Sequence, residues 1–154
     1  MAFAETTKVP FERSISEIVS MVRNAGADRI GQMDTITHFT FQFTLGNRMV
    51  RFTIPMPTVD EMPVKDGRNS TLTKAQREAR LDQARRQRGR ALMLVIKAKL
   101  ESVESGIETF EQAFLANVVM LDGQTVHERI HERLAIEYST GNKQFDLLPA
   151  PGDK

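Results

Sequence analysis

At 154 residues, 40% of them apolar and 27% charged, the chain has the size and composition of one globular domain and not of a disordered segment. It has no cysteine, which excludes disulfides and thiolate metal sites and leaves no mark of secretion. The net charge is only +1, but residues 74–90 carry seven basic and two acidic side chains, while residues 101–137 carry eight acidic and two basic ones.

Residues 1–10 hold no apolar run of signal-peptide length. The longest apolar run, residues 91–96, is far short of a membrane span. A cytoplasmic protein with no membrane contact is expected.

Residues 10–57 read as a helix covering an antiparallel sheet. Phe11, Ile15, Ile18, Val19 and Val22 share one helical stripe, and Gly26 sits where a C-terminal cap belongs. Residues 29–33 suggest a weaker strand. Phe39, Phe41, Phe43 and Leu45 alternate with polar residues, as do Val50, Phe52 and Ile54. Gly46-Asn47 between the two runs signals a hairpin turn. Prolines 55, 57 and 63 end the sheet, and residues 58–72 form a surface loop.

Thr73 and Gln76 fit a capping box, and no breaker stronger than Gly89 follows before Gly106. A helix over residues 73–105, about 33 residues or roughly 50 Å at the standard rise, is predicted. Its first half is charged all around. Residues 91–96 are apolar all around and are expected to be buried on every side. Residues 107–141 should supply a short acidic helix (Ile107, Phe110, Phe114, Leu115), a β-hairpin turning at Asp122-Gly123, and a last helix. That helix is capped by Thr125 and Glu128, with Val126, Ile130, Leu134 and Tyr138 on one stripe and Gly141 as its stop. Residues 142–154 read as a tail. The fold class is therefore α+β: an N-terminal helix on a small antiparallel sheet, a long central helix, and a C-terminal hairpin and helix.

Two motifs bear on function. His127-Glu128-Arg129-Ile130-His131 matches H-E-x-x-H, which in zinc hydrolases sets two imidazoles one turn apart with the glutamate as general base. Arg129 places a cation beside the metal position. No third histidine follows, leaving Glu137, Tyr138 and Asp146 as the remaining candidates, and Glu128 already serves the capping box. The motif reads as a surface coincidence, so no metal, cofactor or catalytic residue is expected. Were it real, His127, His131 and Glu128 would be the site.

The other motif is the basic segment, with Lys74, Arg77, Arg80, Arg85, Arg86, Arg88 and Arg90. Arginines on a rigid rod can contact successive phosphates and gain from counterion release. Arg77, Arg80, Arg85, Arg86, Arg88 and Arg90 are the candidate nucleic-acid-binding residues, with Arg48 and Arg51 extending the basic surface. Residues 74–106 contain no aromatic side chain, so base stacking is not expected there. The competing readings are that the segment meets the acidic C-terminal part, within one chain or between copies of an oligomer, or that it is a solvated face with local pairs such as Asp82 to Arg86. His38 reads as structural.

The segment RALMLVIKAKLESVESGIETFEQAFLA from Arg90 to Ala116, then MLDGQTV from Met120 to Val126, and RMVRFTIP from Arg48 to Pro55, resembles a family of small uncharacterised proteins encoded by bacteriophages and prophages. The likeness spans about two thirds of the chain, and the histidines are outside it. It implies work on replicating or recombining DNA, antagonism of a host protein, or a place in an assembly, all in the cytoplasm of the host cell. The expected function is a phage-type accessory protein, non-enzymatic, that binds nucleic acid with weak sequence preference. The alternatives are an oligomeric protein-interaction or anti-host-defence factor and a small zinc hydrolase.

Overall fold

The computed structural model describes residues 2–141; the expected tail at residues 142–154 lies outside the described residues. Helix α1 spans Phe11–Asn24, and strands β1 (Arg29–Asp34), β2 (His38–Leu45) and β3 (Arg48–Pro55) follow. After a 3₁₀ turn at Val59–Glu61 comes the long helix α2, Lys74–Glu104. Helix α3 (Phe110–Phe114), a second 3₁₀ turn and helix α4 (Val126–Thr140) complete the described chain. The architecture is mixed helix and sheet, as the α+β pattern implies.

The strands form an antiparallel meander in the order β1-β2-β3. Its register sets Phe41 opposite Phe52 and Phe43 opposite Val50. Because side chains alternate across a strand, Phe39, Phe41, Phe43, Val50 and Phe52 all enter one face and are buried there. Each phenylalanine so buried contributes about 1.5–3 kcal/mol. The turn between β2 and β3 holds Gly46 at φ 56° and Asn47 at φ 61°. These left-handed pairs match the twist of a two-residue hairpin.

Helix α1 buries Phe11, Ser14, Ile15, Ile18 and Val22. It packs against α2, with the Phe11 ring edge-on to Phe39 of the sheet at 5.0 Å between centroids. Helix α2 begins with the expected capping box: Thr73 accepts from the Gln76 N–H, and Gln76 returns the bond to the Thr73 N–H. Gly89 is buried in mid-helix because α1 crosses it. A Cβ there would stand 2.7 Å from Cδ2 of Phe11 and 3.4 Å from Cβ of Ser14.

Two expectations need correction. Residues 91–96 are not enclosed on all sides. Leu92, Met93 and Ile96 are buried, but Ala91 is exposed and Val95 is 44% exposed, because the sheet and α1 cover one side of α2 only. The charged half of α2 lies against polar parts of the chain: α1, β1, the N-terminal segment and the 3₁₀ turn at Val59–Glu61 are tied to it. Finally, residues 118–125 do not form a separate hairpin. Val118 bridges to Val50, and the Val119 N–H donates to the Met49 carbonyl at 2.8 Å, so this run borders β3 instead. Only one bridge, Val119 to Thr125, closes the turn, since the α4 cap at Thr125 arrives before a second strand can form. The expected surface loop is braced internally: Asp66 Oδ1 accepts from the N–H groups of Arg68 and Ser70.

The C-terminal part is joined to the core by Phe114, fully buried and edge-on to Phe43 at 5.8 Å and Phe52 at 6.3 Å. Lys99 from α2 donates to the Ala113 carbonyl and lies 5.7 Å from the Phe114 ring centroid.

Replacing a mid-helix glycine by alanine ordinarily stabilises by about 1 kcal/mol. At Gly89 the sign is expected to reverse. The Phe11 ring is boxed in by Phe39 and by the Arg85 guanidinium. Gly89→Ala should therefore cost about 1–3 kcal/mol through overpacking, read as a lower midpoint in urea unfolding.

Candidate nucleic-acid interface

The capping box and the unbroken helical run place the seven cations on the first five turns of α2, but most are occupied. Arg77 turns back to the 3₁₀ turn, its Nη2 donating to the carbonyls of Val59 (2.8 Å) and Met62 (3.3 Å). Arg85 lies over the Phe11 ring and reaches Asp34 at the end of β1, 3.2 Å away. Arg86 pairs with Asp82 at 2.7 Å and donates to the Lys8 carbonyl at 3.2 Å. Arg90 pairs with Glu17 of α1 at 2.9 Å, a carboxylate shared with Arg13 at 3.8 Å. Lys74 stands 3.8 Å from Glu78. Between these, the Gln83 amide donates to the carbonyls of Glu5 and Thr7. The N-terminal segment thus has its carbonyls satisfied by α2 side chains.

Arg80 and Arg88 differ. Both are exposed, and neither has an acidic or carbonyl partner among the described residues. At 100° per residue Arg80 lies opposite the buried line of Gly89, Leu92 and Ile96, with Arg88 on the flank. The region stays positive after pairing. Glu78, Asp82, Asp34 and the shared Glu17 answer the seven cations of α2 together with Arg13. Of the six candidate arginines, the structure therefore leaves two turned to solvent and draws four inward.

Arg48 and Arg51 do not extend this surface. Arg48 pairs with Glu111 at 3.1 Å. Arg51 donates to the Gly123 carbonyl at 2.7 Å and to Glu128 at 3.2 Å. These two sheet cations meet the acidic C-terminal part within the chain, whereas the acidic partners of the basic segment among the described residues are Asp34, Glu17, Glu78 and Asp82. Sequence alone carried no signal for which cations do so. His38 is exposed, its Nδ1 beside the Thr37 hydroxyl at 3.0 Å.

The H-E-x-x-H residues lie on the first two turns of α4. The rings of His127 and His131 stack with centroids 5.5 Å apart and planes 24° apart. His131 Nδ1 donates to the Glu128 carbonyl at 2.9 Å. Glu128 completes the capping box, its Oε2 accepting from the Thr125 N–H at 2.7 Å and from Arg51. The Thr125 N–H, aided by the Arg51 charge, holds the Glu128 carboxyl below the ordinary glutamate range. A carboxylate so held is a weak proton acceptor. Arg129 turns to Asp122 at 2.9 Å. Among the described residues no third His, Cys, Asp or Glu joins these two histidines in a metal-binding group; Asp146 lies outside the described residues.

No protein-family model matches the chain, and no significant similarity to a curated protein or to a solved structure is found. Among the described residues no helix is long and apolar enough to cross a membrane.

Purified protein is expected to hold no stoichiometric zinc. Elemental analysis finding one zinc per chain, lost in His131→Ala, would reverse that reading. For Glu128, whose folded pKa lies below its unfolded value, linkage gives the sign. Its stabilisation of α4 is complete above the ordinary glutamate range and is lost as pH falls through the depressed value. Amide exchange in the first turn of α4 should rise over that acid window and lose this component in Glu128→Gln.

Proposed function

We propose that the protein is a phage-type accessory protein, non-enzymatic, that binds nucleic acid through the outward face of α2 with weak sequence preference. The observation that carries this reading is the pair Arg80 and Arg88, exposed on a rigid helix, unanswered by acid, and set in a region whose remaining charge is positive. Eight residues separate them, about 12 Å of helix rise. Guanidinium groups held at a fixed spacing suit phosphate oxygens, which position a partner without reading its bases. The inward arginines keep the rod in place, and the outward pair meets the ligand.

A second reading draws on α4. It buries no side chain, leaving Ile136 exposed, Tyr138 89% exposed, and Leu121 just before it fully open. Exposed apolar side chains on and beside a helix suit a protein surface, as an interaction or anti-host-defence factor would use.

A titration against single- and double-stranded DNA and RNA separates the two. Affinity should fall with salt at a log–log slope of about −0.9 per phosphate on duplex and about −0.7 on single strands. Arg80→Gln with Arg88→Gln should flatten the slope by about two such contacts without lowering thermal stability. Changing Arg85, Arg86 and Arg88 together, the obvious choice from sequence, would mix functions, because Arg85 and Arg86 tie down β1 and the N-terminal segment. A flat wild-type titration at about 50 mM salt, where phosphate contacts are strong, would end the nucleic-acid reading and favour the α4 surface.

A further inference from the structure

The two edges of the sheet are treated differently. In an antiparallel meander, alternate residues of an edge strand turn their N–H and C=O groups away from the sheet. On β3 those residues are Met49, Arg51 and Thr53. Two are answered within the chain: the Met49 carbonyl accepts from the Val119 N–H, and the Arg51 carbonyl accepts from the Asn117 side-chain amide at 3.2 Å. That edge is closed by residues 117–119.

The β1 edge is open. The Thr35 N–H donates to the His38 carbonyl at 2.8 Å, which sets the phase of the β1-β2 ladder. Gly31 and Met33 bond inward to β2, and Ile30, Gln32 and Asp34 turn their backbone groups outward. Among the described residues nothing bonds to them. The centre of the edge, residues 30–33, has no proline, no charge and no bulge; its two charges, Arg29 and Asp34, stand at the ends. Beside it runs a cleft of about 520 Å³ between β1 and α1, lined by Ile15, Val19 and Phe39 on the apolar side and by Gln32 and Asp34 on the strand side.

We infer that β1 pairs antiparallel with β1 of a second copy about a two-fold axis through Gln32, making one continuous six-stranded sheet. Pairing about an axis perpendicular to the sheet requires that opposed residues share a face, so the two residue numbers must add to an even total. Two registers compete. One centred on Gly31 engages only Ile30 and Gln32 and sets Asp28 against Asp34 of the partner subunit, a like-charge contact. The register centred on Gln32 opposes Gln32 to itself and Ile30 to Asp34 of the partner subunit. It uses all three outward residues of each strand, six hydrogen bonds in all, with no like charges opposed. On the outer face it sets Met33, 60% exposed, over Gly31 of the partner subunit. Gly31 lacks a side chain because the Gln42 amide crosses it: a Cβ there would stand 3.1 Å from Gln42. The long thioether of one copy thus meets the Gln42 amide that lies over Gly31 in the other. The two α1 clefts are brought together across the axis on the helix side of the sheet. This pairing stands independently of what α2 binds.

Light scattering and concentration-dependent sedimentation at micromolar protein and low salt test it. The wild type is expected at twice the chain mass. Gln32→Pro removes one outward N–H and blocks the central pair while sparing the bonds of Gly31 and Met33 to β2, so the mass should halve. Because proline could disturb the strand itself, Gln32→Lys and Gln32→Glu provide the second arm. Each alone sets like charges across the axis and should be monomeric; mixed, they should restore a dimer containing one of each. A strictly monomeric wild type overturns the inference. So does a wild-type dimer that survives Gln32→Lys and Gln32→Glu separately, since the contact would then lie on another face.

Discussion

The rest of the molecule depends on how closely α1 can approach α2. Gly89 gives the Phe11 ring a place against the helix backbone, with Ser14, small and fully buried, beside it. From that contact follow the position of Phe11 against Phe39, the reach of Arg90 to Glu17, and the seating of Arg85 over the ring on its way to Asp34. A side chain at position 89 would push α1 outward and loosen all three. The sheet has one apolar face, and the helices keep it from water.

Basic character on α2 accordingly has two physical uses. Guanidinium groups supply several donors in a rigid fork, so they can satisfy carbonyls that belong to no ladder, such as those of Lys8, Val59 and Met62. Each partly exposed ion pair contributes only about 0–1 kcal/mol. Their value lies in fixing where irregular chain runs. A cluster of arginines in a sequence is thus as much a scaffold for loops as a surface for ligands. Only the side chains that find no acid or carbonyl remain to meet an outside charge.

Elements with strong local signals were legible in the sequence. The alternating phenylalanines of β2, the Gly46-Asn47 turn and the Thr73 and Thr125 capping boxes each rest on a local rule that packing had no reason to override. The run from Val118 to Leu121 has strand-like residues, but its partner is β3, some seventy residues away, and no local pattern encodes that distance. The even apolarity of residues 91–96 suggested burial on all sides, because composition cannot say how many layers surround a helix. At the basic segment, charge and spacing were visible, whereas the split into inward and outward arginines depends on where Glu17, Asp34 and Lys8 fold to. The competition between the capping role of Glu128 and a metal role was already present in the spacing Thr125 to Glu128, and Arg51 adds the partner that sequence distance hid.

The attachment of the C-terminal part through Phe114 also divides the molecule by how readily its pieces let go. Phe114 is locked among Phe43, Phe52 and Phe110, whereas α4 beyond it has half-buried but no fully buried side chains among the described residues. A fifteen-residue helix on its own is marginal in water, so α4 relies on its half-buried side and its capped first turn. Breathing of α4 therefore costs far less than global unfolding and leaves the phenylalanine core shut. Opening of the segment from Val126 to Thr140 would leave the Phe114 contacts intact, so a macromolecule engaging this helix could draw on it without disturbing the phenylalanine core.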